Sequence, residues 1–342
     1  MMQRRSVLRR AGALAAAGAT LAWPSWVRAQ SVTLKIQGFL PATNSPQIAL
    51  AKMADELKAG SGGRLQLQVL PGGGAVAVGE ALDAVRNGIL DGNYSAPSYF
   101  ASKDPGFTLL GDTGASFNDV SQRDRWLSEG GGIAVARELY ARFGVHYVGP
   151  VFWASEHIPA RKALNGVDDL KGLKIRVPPG LIADILGRAG AAVVNVPGGE
   201  VFNSLQSGVI DATDWASPAL NVQAGLYRAA KFSINASHSM PTTDITVNQK
   251  KWDALPAELR TMFEQAVARM SSELQATLGS EDEKALASMK ELGVTVVTWG
   301  ASEVAKLRVL TARVQAELAG RNDQTRKLFD TLVAYQKKLG IG

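Results

Sequence analysis

Gly79-Glu80-Ala81-Leu82-Asp83-Ala84-Val85-Arg86-Asn87-Gly88-Ile89-Leu90-Asp91 lines up without a gap with Gly199-Glu200-Val201-Phe202-Asn203-Ser204-Leu205-Gln206-Ser207-Gly208-Val209-Ile210-Asp211. Gly, Glu, Gly and Asp recur at four matching places. Each stretch follows an apolar strand that stops at Pro-Gly-Gly: residues 65–70 before Pro71, and residues 192–196 before Pro197. Each is followed by a short segment holding a proline, Pro97 or Pro218. The first copy reads as a short helix stopped by Asn87-Gly88. One strand–loop–helix–turn–strand unit is therefore used twice, once per half of the chain. The separation is far too long for a solenoid repeat, so the pattern predicts two similar lobes that face each other.

The flanks agree. Residues 32–37 alternate apolar and polar as a strand does, and residues 47–59 have helical spacing. Strand and helix in alternation mean an α/β architecture, expected here with mostly parallel sheets. Asp253-Ala254-Leu255-Pro256 reads as the start of a helix, with an acidic cap and an early proline. Apolar spacing then continues through Met262, Val267, Met270, Leu274, Leu278, Leu286 and Met289 to Gly293. About 35 residues at ~1.5 Å each give ~50 Å, longer than one domain is wide. A continuous helix would lie across both lobes; a kink at Gly279, or two helices joined there, is the alternative. Residues 300–339 are polar and helical, with a break near Gly320-Arg321-Asn322. The segments expected in the first lobe are 30–152 and 242–279; those expected in the second are 153–241 and 280–342.

Arg4, Arg5, Arg9 and Arg10 precede a modest Ala/Gly-rich apolar run and the Val27-Arg28-Ala29 triplet. This is the pattern of a removable export signal, with a twin-arginine flavour and cleavage expected after Ala29. The run is shorter than the roughly 20 strongly apolar residues of a membrane span. The chain has 37 basic and 31 acidic residues, but residues 1–29 hold five arginines and no acid. The rest is nearly neutral, and no basic tract interleaved with aromatics points to nucleic acid. Cysteine is absent, which excludes disulfides, thiolate metal sites, a cysteine nucleophile and a lipidated cysteine anchor.

Gly72-x-Gly74-x-x-Ala77, with Asp91 downstream, imitates a dinucleotide fingerprint. Pro71 before it, the short helix after it and the fingerprint-free twin at Asp211 argue against a cofactor and for a non-enzyme. His146, His157 and His238 have no metal-ligand spacing. His146 reads as structural, within an apparent strand over 144–148. His157 and His238 read as loop residues, ordinary surface imidazoles unless their loops face a cleft. In Leu173-Lys174-Ile175-Arg176-Val177 the apolar residues share one strand face, and Lys174 and Arg176 share the other. Pro178-Pro179-Gly180 ends this strand, so Arg176 stands at its carboxyl end, where ligands bind in open α/β sheets. A guanidinium there suits a carboxylate. Asp214-Trp215 occupies the matching place after the second turn. Beside Arg176 that acid would repel an anion unless a hard cation sat between them.

These segments, 168–177, Pro197-Gly198-Gly199-Glu200-Val201 and 208–215, together with the long helix, resemble the solute-binding receptors of tripartite ATP-independent periplasmic (TRAP) transporters over nearly all of the chain after the leader. The resemblance implies a two-lobed periplasmic-binding-protein fold with a hinge and a long helix spanning both lobes. It implies Arg176 as the carboxylate clamp, a 2-oxo or 2-hydroxy monocarboxylic acid as ligand, and a bound calcium or sodium ion. Asp214 and the carbonyl of Trp215 would hold the ion with a group from the crossover Phe152-Trp153-Ala154-Ser155-Glu156-His157. Glu156 stands there where the family has an amide. Tyr99, Phe39, Trp153 and His238 complete the implied ligand set. Membrane permease subunits are the implied partner, a homodimer through the C-terminal helix is compatible with the family, and the location is periplasmic. A sensory receptor would carry the same fold and site.

Overall fold

The computed structural model describes residues 31–341; the export signal and its cleavage point lie outside the described residues. The first half builds β1 (Val32–Gln37), α1 (Ser45–Gly60), β2 (Leu65–Leu70), α2 (Ala81–Arg86), β3 (Gly92–Ser95), α3 (Pro105–Gly111), α4 (Val120–Glu129), α5 (Gly132–Ala141) and β4 (Val145–Phe152). The chain crosses over to β5 (Ile158–Ala160), β6 (Lys174–Arg176), α6 (Leu181–Arg188), β7 (Ala192–Val194), α7 (Val201–Ser207), β8 (Ala212–Thr213), α8 (Pro218–Gln223) and β9 (Phe232–Asn235). It returns through β10 (Thr242–Asn248), α9 (Gln249–Ala254) and α10 (Ala257–Ser288), then ends with β11 (Thr295–Thr298), α11 (Ala301–Ala319) and α12 (Asp323–Lys338).

Two sheets result, ordered β2-β1-β3-β10-β4 and β11-β9-β5-β8-β6-β7. The expectation of mostly parallel sheets needs correction, because both are mixed. Strands within each repeated unit are parallel: β1 with β2 and β3, β6 with β7 and β8. However, β10 is antiparallel to β3 and β4, and β5 is antiparallel to β8 and β9. Alternation in sequence fixes which face of a strand is buried, not its direction; the crossover strands enter from the opposite end.

The repeat is physical. Asp91 N–H donates to the Lys35 carbonyl at 2.9 Å and its Oδ2 accepts from the Lys35 N–H at 2.8 Å. Asp211 repeats both contacts on Lys174, at 2.7 and 3.1 Å. Each closing aspartate thus locks its turn to the central strand of its unit. Gly88 and Gly208, at φ 76° and 78°, make the left-handed turn before it, a conformation that costs glycine little. Gln37 pairs with Asn93 and Arg176 with Thr213, so the register equates Gln37 with Arg176. The Gln37 amide is spent on the backbone of Ala75 and Val76. The false fingerprint is explained as well. A Cβ on Gly72 would lie 2.5 Å from the Phe39 carbonyl group, so glycine is needed for the Pro71 loop to pack against Phe39 and Leu40.

The long helix is unbroken. α10 runs 32 residues through Gly279, about 48 Å at ~1.5 Å per residue. It packs on β4 and α1, and farther along on α8, where Asp282 accepts from Ser217 Oγ and the Ala219 N–H at 2.7 and 2.8 Å. It therefore touches elements flanking both sheets. Asp253 is not its cap: α9 intervenes, capped by Asn248, and Pro256 holds the N-cap of α10. The break before α12 stands as expected, with Asn322 accepting from the Thr325 N–H at 2.7 Å.

One buried cation joins the crossovers. Arg123, 0 % exposed, donates to the carbonyls of Pro241 at 2.5 Å and Trp153 at 2.8 Å, and to Asp124 Oδ1. Asp124 Oδ2 accepts from Gln275 of α10 at 2.6 Å.

A Cβ on Gly279 would meet nothing within 4 Å. Gly279→Ala is therefore expected to stabilise the protein by roughly 0.5–1 kcal/mol in urea unfolding; a loss of stability would mean that the helix bends there.

Candidate functional site

A cleft of about 870 Å³ lies at the carboxyl ends of strands from both sheets, the expected place for a ligand in open α/β architecture. Phe39 follows β1, Ser98 and Tyr99 follow β3, Arg176 ends β6, and Asp214 and Trp215 follow β8. Trp153 and Glu156 come from the first crossover, Pro241 and Thr243 from the second. All of these residues line the cleft.

The strand pattern predicted which face Arg176 takes, and the structure adds its surroundings. Lys174 is exposed, while Arg176 is 8 % exposed. Its Nη1 donates to the Asp214 carbonyl at 2.8 Å and its Nε to the Val196 carbonyl at 3.3 Å. The guanidinium carbon sits 5.2 Å from the Trp215 ring centroid, so the planar group is held by stacking as well as by hydrogen bonds. Among the described residues its Nη2 edge has no hydrogen-bond partner, which leaves N–H groups for a carboxylate. Burial lowers the Arg176 pKa, with Tyr99, Asp214 and Glu156 opposing the shift. Tyr99 is 37 % exposed to the cleft. Burial raises its phenol, partly countered by the Arg176 charge. Phe39 packs on Tyr94, Tyr99 and Trp153, with centroids 5.3, 6.2 and 5.8 Å away.

Asp214 is not the exposed strand-end acid that its sequence position suggests; it is buried. His238, 1 % exposed, places Nε2 at 2.9 Å from Asp214 Oδ1. It stands behind Asp214 instead of on the cleft wall. Burial alone would raise Asp214, but the hydrogen bond and charge of His238, then Glu156 and Arg176, outweigh it and hold the carboxyl below its ordinary value. The surface reading of His157 and His238 is thus corrected for both. His157 is buried, with Nδ1 at 3.0 Å from Ser233 Oγ, and burial drops its pKa to about 4. Hydrogen bonds that pull both loops inward, invisible in local sequence, are the reason. His146 is structural as expected, stacked on Trp252 at 4.1 Å.

Glu156 faces Asp214. Among the described residues, Glu156, Asp214 and His238 form a group whose ligand atoms lie within 4.8 Å of one another. Burial, then the charges of Asp214 and Asp112, push Glu156 well above the carboxylate range. Asp112 is a cleft residue that sequence reasoning missed. Its Oδ1 accepts from the N–H groups of Gly114 and Met240, and burial raises it to about 6. Asp112-Thr113-Gly114 looks like any loop turn, so no local signal marked it. Ser239 Oγ lies 2.6 Å from Asp112 Oδ2 and 2.9 Å from Glu156 Oε2. One hydroxyl proton cannot be given fully to both carboxyls. Glu156 is the more strongly raised of the two, and a glutamic acid in its neutral form has the shape and charge of an amide.

Among the described residues no helix is long and apolar enough to cross a membrane. The sequence profile of the DctP family, described as bacterial extracellular solute-binding protein, family 7, matches residues 37–321. The monocarboxylate 2-oxoacid-binding periplasmic protein of Nostoc is 27% identical over 99% of this chain and 95% of its own. A TRAP periplasmic solute-binding protein from Rhodobacter sphaeroides, solved in an apo open form, superposes with a TM-score of 0.76 at 33% identity, covering 91% of this chain and 99% of that one. A TRAP solute-binding protein from Colwellia psychrerythraea, solved with calcium and pyruvate, gives 0.80 at 23% identity, with 91% and 95% covered. The two-lobed fold, the unbroken helix and the match over most of its length agree: this chain belongs to family 7 of the bacterial extracellular solute-binding proteins, and is a TRAP-type solute-binding protein and not an enzyme.

Proposed function

We propose that the protein captures a 2-oxo or 2-hydroxy monocarboxylic acid in the periplasm, together with a bound metal cation, and delivers it to the permease subunits of a TRAP transporter. The observation that carries this reading is the buried Arg176 guanidinium, held by two carbonyls and a tryptophan ring with its remaining N–H edge turned to no other described residue. Such a group is organised for a carboxylate before the ligand arrives, and charge-assisted bidentate bonds are the strong kind. Tyr99 would donate to the 2-oxygen from the opposite wall. The Nostoc relative's 2-oxo acid and the Colwellia protein's pyruvate and calcium support the same ligand class.

Charge supports the cation. Asp112, Glu156 and Asp214 line the cleft around the one guanidinium, and a carboxylate ligand adds a fourth acid. Protons or a cation must compensate, because uncompensated buried charges are expensive. The donors are oxygens, which suit a hard ion such as calcium. Glu156, Asp214 and the Trp215 carbonyl would hold it, and it would offset repulsion between those acids and the ligand. His238 would keep Asp214 ionised and aimed. Contacts made from both walls are complete only when the lobes are closed, so the ligand shifts that equilibrium.

Arg176→Ala is expected to weaken binding of pyruvate or lactate by about 30-fold or more while circular dichroism still shows a folded chain; unchanged affinity by calorimetry would remove the clamp. Glu156→Gln should weaken calcium binding by about tenfold or more, since each lost carboxylate reduces the charge on the ion's ligands. Equal calcium affinity in that variant would take Glu156 out of the cation site. The pH dependence has a definite sign. Asp112 rises from 3.8 to about 6 on folding, so its contribution is full below pH ~4 and is lost as pH climbs through 6. For this group alone the loss is about 2–3 kcal/mol. Calcium-free protein should therefore melt at a lower temperature at pH 7 than at pH 5, and Asp112→Asn should flatten the profile. A melting temperature that rises over this range would contradict the assignment.

A further inference from the structure

The oxygens that would face a cation come from two separate segments: Glu156 from the first crossover, and Asp214 and the Trp215 carbonyl from the stretch after β8. Backbone pairing joins these segments at two places, Ala160 with Ala212 and His157 with Ala216. A side chain reinforces the second. Asn221, on α8 and 0 % exposed, gives its Nδ2 protons to the carbonyls of His157 at 3.1 Å and Ala216 at 2.9 Å. His157 directly follows Glu156, and Ala216 directly follows Trp215. The His157 N–H reaches the same Ala216 carbonyl at 3.2 Å. One primary amide therefore clips together the two backbones, each time at the residue next to a proposed ligand of the ion. Asparagine suits this task because its NH2 group offers two protons, where serine or threonine offers one and aspartate none. The two carbonyl oxygens also fix the amide's orientation, since only its nitrogen end can face them. The long helix in turn holds α8. Asp282 binds the start of α8, and Leu220 is buried in one apolar cluster with Leu274 and Leu278 of α10. Asn221 itself does not line the cleft.

We infer that Asn221 is a positioning residue of the cation site, setting the distance between Glu156 and the Asp214–Trp215 pair without touching ligand or ion. This rests on the cation reading above and adds to it a residue that acts from behind the wall. The ligand atoms of Glu156 and Asp214 lie within 4.8 Å of each other, close enough to share one ion. Two like-charged groups at that range repel when both ionise, so their spacing needs a neutral restraint such as an amide on the backbones that carry them. Without the clip Glu156 moves away from Asp214, and a water takes its place on the ion, because hard cations complete their shell with water.

The test uses the exported protein and Asn221→Leu, which keeps a branched, neutral side chain and loses both N–H groups. Calcium affinity is measured by calorimetry. Terbium then stands in for calcium, excited through Trp153 and Trp215, and its luminescence lifetimes in H2O and D2O count the waters on the ion. In the variant, calcium affinity should fall by about 10–100-fold, as for other groups that orient a metal's ligands. Terbium should carry about one water more, with the circular dichroism unchanged. A merely structural role would lower the melting temperature and leave the water count as it was. If Asn221→Leu does not fold, Asp282→Ala decides, since it frees the start of α8 from a half-buried position; it should move affinity and water count in the same directions. An unchanged affinity, or an unchanged water count, in the deciding variant overturns the positioning role and leaves the cation reading intact. A wild-type protein that binds neither calcium nor terbium overturns the cation reading, and this inference with it.

Discussion

The site is constrained first by charge. Arg176, Asp214, Glu156 and Asp112 are all buried in the cleft wall, and such an excess of acid cannot stay ionised there without compensation. The structure meets the constraint in three places. His238 and Arg176 keep Asp214 ionised. Burial and the charges of Asp214 and Asp112 push the Glu156 carboxyl well up beside the Ser239 hydroxyl, and three donors steady Asp112. The oxygens gathered in this wall are the ones that would face a cation, which could take over part of that compensation. Glu156 is then less of a departure from the amide its relatives are expected to use. In acid form it presents a neutral carbonyl and a donor; in ionised form it contributes a further charge to an ion.

The repeated unit explains why that chemistry sits on one side. Both copies use the same scaffold: a central strand, a glycine-led turn, and an aspartate bonded to the strand's lysine backbone. The copies then diverge at matched places. Where the second has Arg176, the first has Gln37, whose amide is consumed in holding the loop at 75–76. The first lobe contributes aromatic surface through Phe39 and Tyr99, with Phe39 packed on Tyr94, Tyr99 and Trp153. The two copies thus supply one wall that carries a guanidinium and an acid and one that carries aromatic surface.

That division decides what was readable in the sequence. The duplicated turn was legible because its glycine and aspartate act locally, within one unit. Arg176 was legible because strand alternation and a proline stop fix both its face and its end. The long helix was legible from spacing except at Gly279, where a kink or a second helix stayed open; that residue lies on an open face and costs only about 1 kcal/mol, so the helix runs through it. The acid cluster was only partly legible. Asp214, Glu156, His238 and Asp112 come from four separate segments, and their burial results from packing between the two crossovers, for which no local pattern exists. Strand direction failed for a similar reason: β5 and β10 carry the same alternation whichever way they run. The assignment of Asp253 as a helix cap failed because Asn248, five residues earlier, nucleated a separate short helix.

Arg123 connects these features mechanically. Its guanidinium is fully buried and donates to a carbonyl on each crossover, at Trp153 and Pro241, while Asp124 balances its charge and passes the connection to Gln275 on α10. Removing one partner of such a buried set costs about 3–5 kcal/mol, so the two crossovers and the long helix are tied together at that level. Trp153 and Pro241 also line the cleft, three residues before Glu156 and two after Ser239 respectively. Both crossover segments between the sheets thus have a carbonyl fixed by Arg123. Close to those fixed carbonyls lie Glu156 and Ser239, whose side chains meet at 2.9 Å. The crossovers that link the two sheets therefore also deliver the acids of the cleft, so the connection between the lobes and the charge balance of the site are built from the same segments.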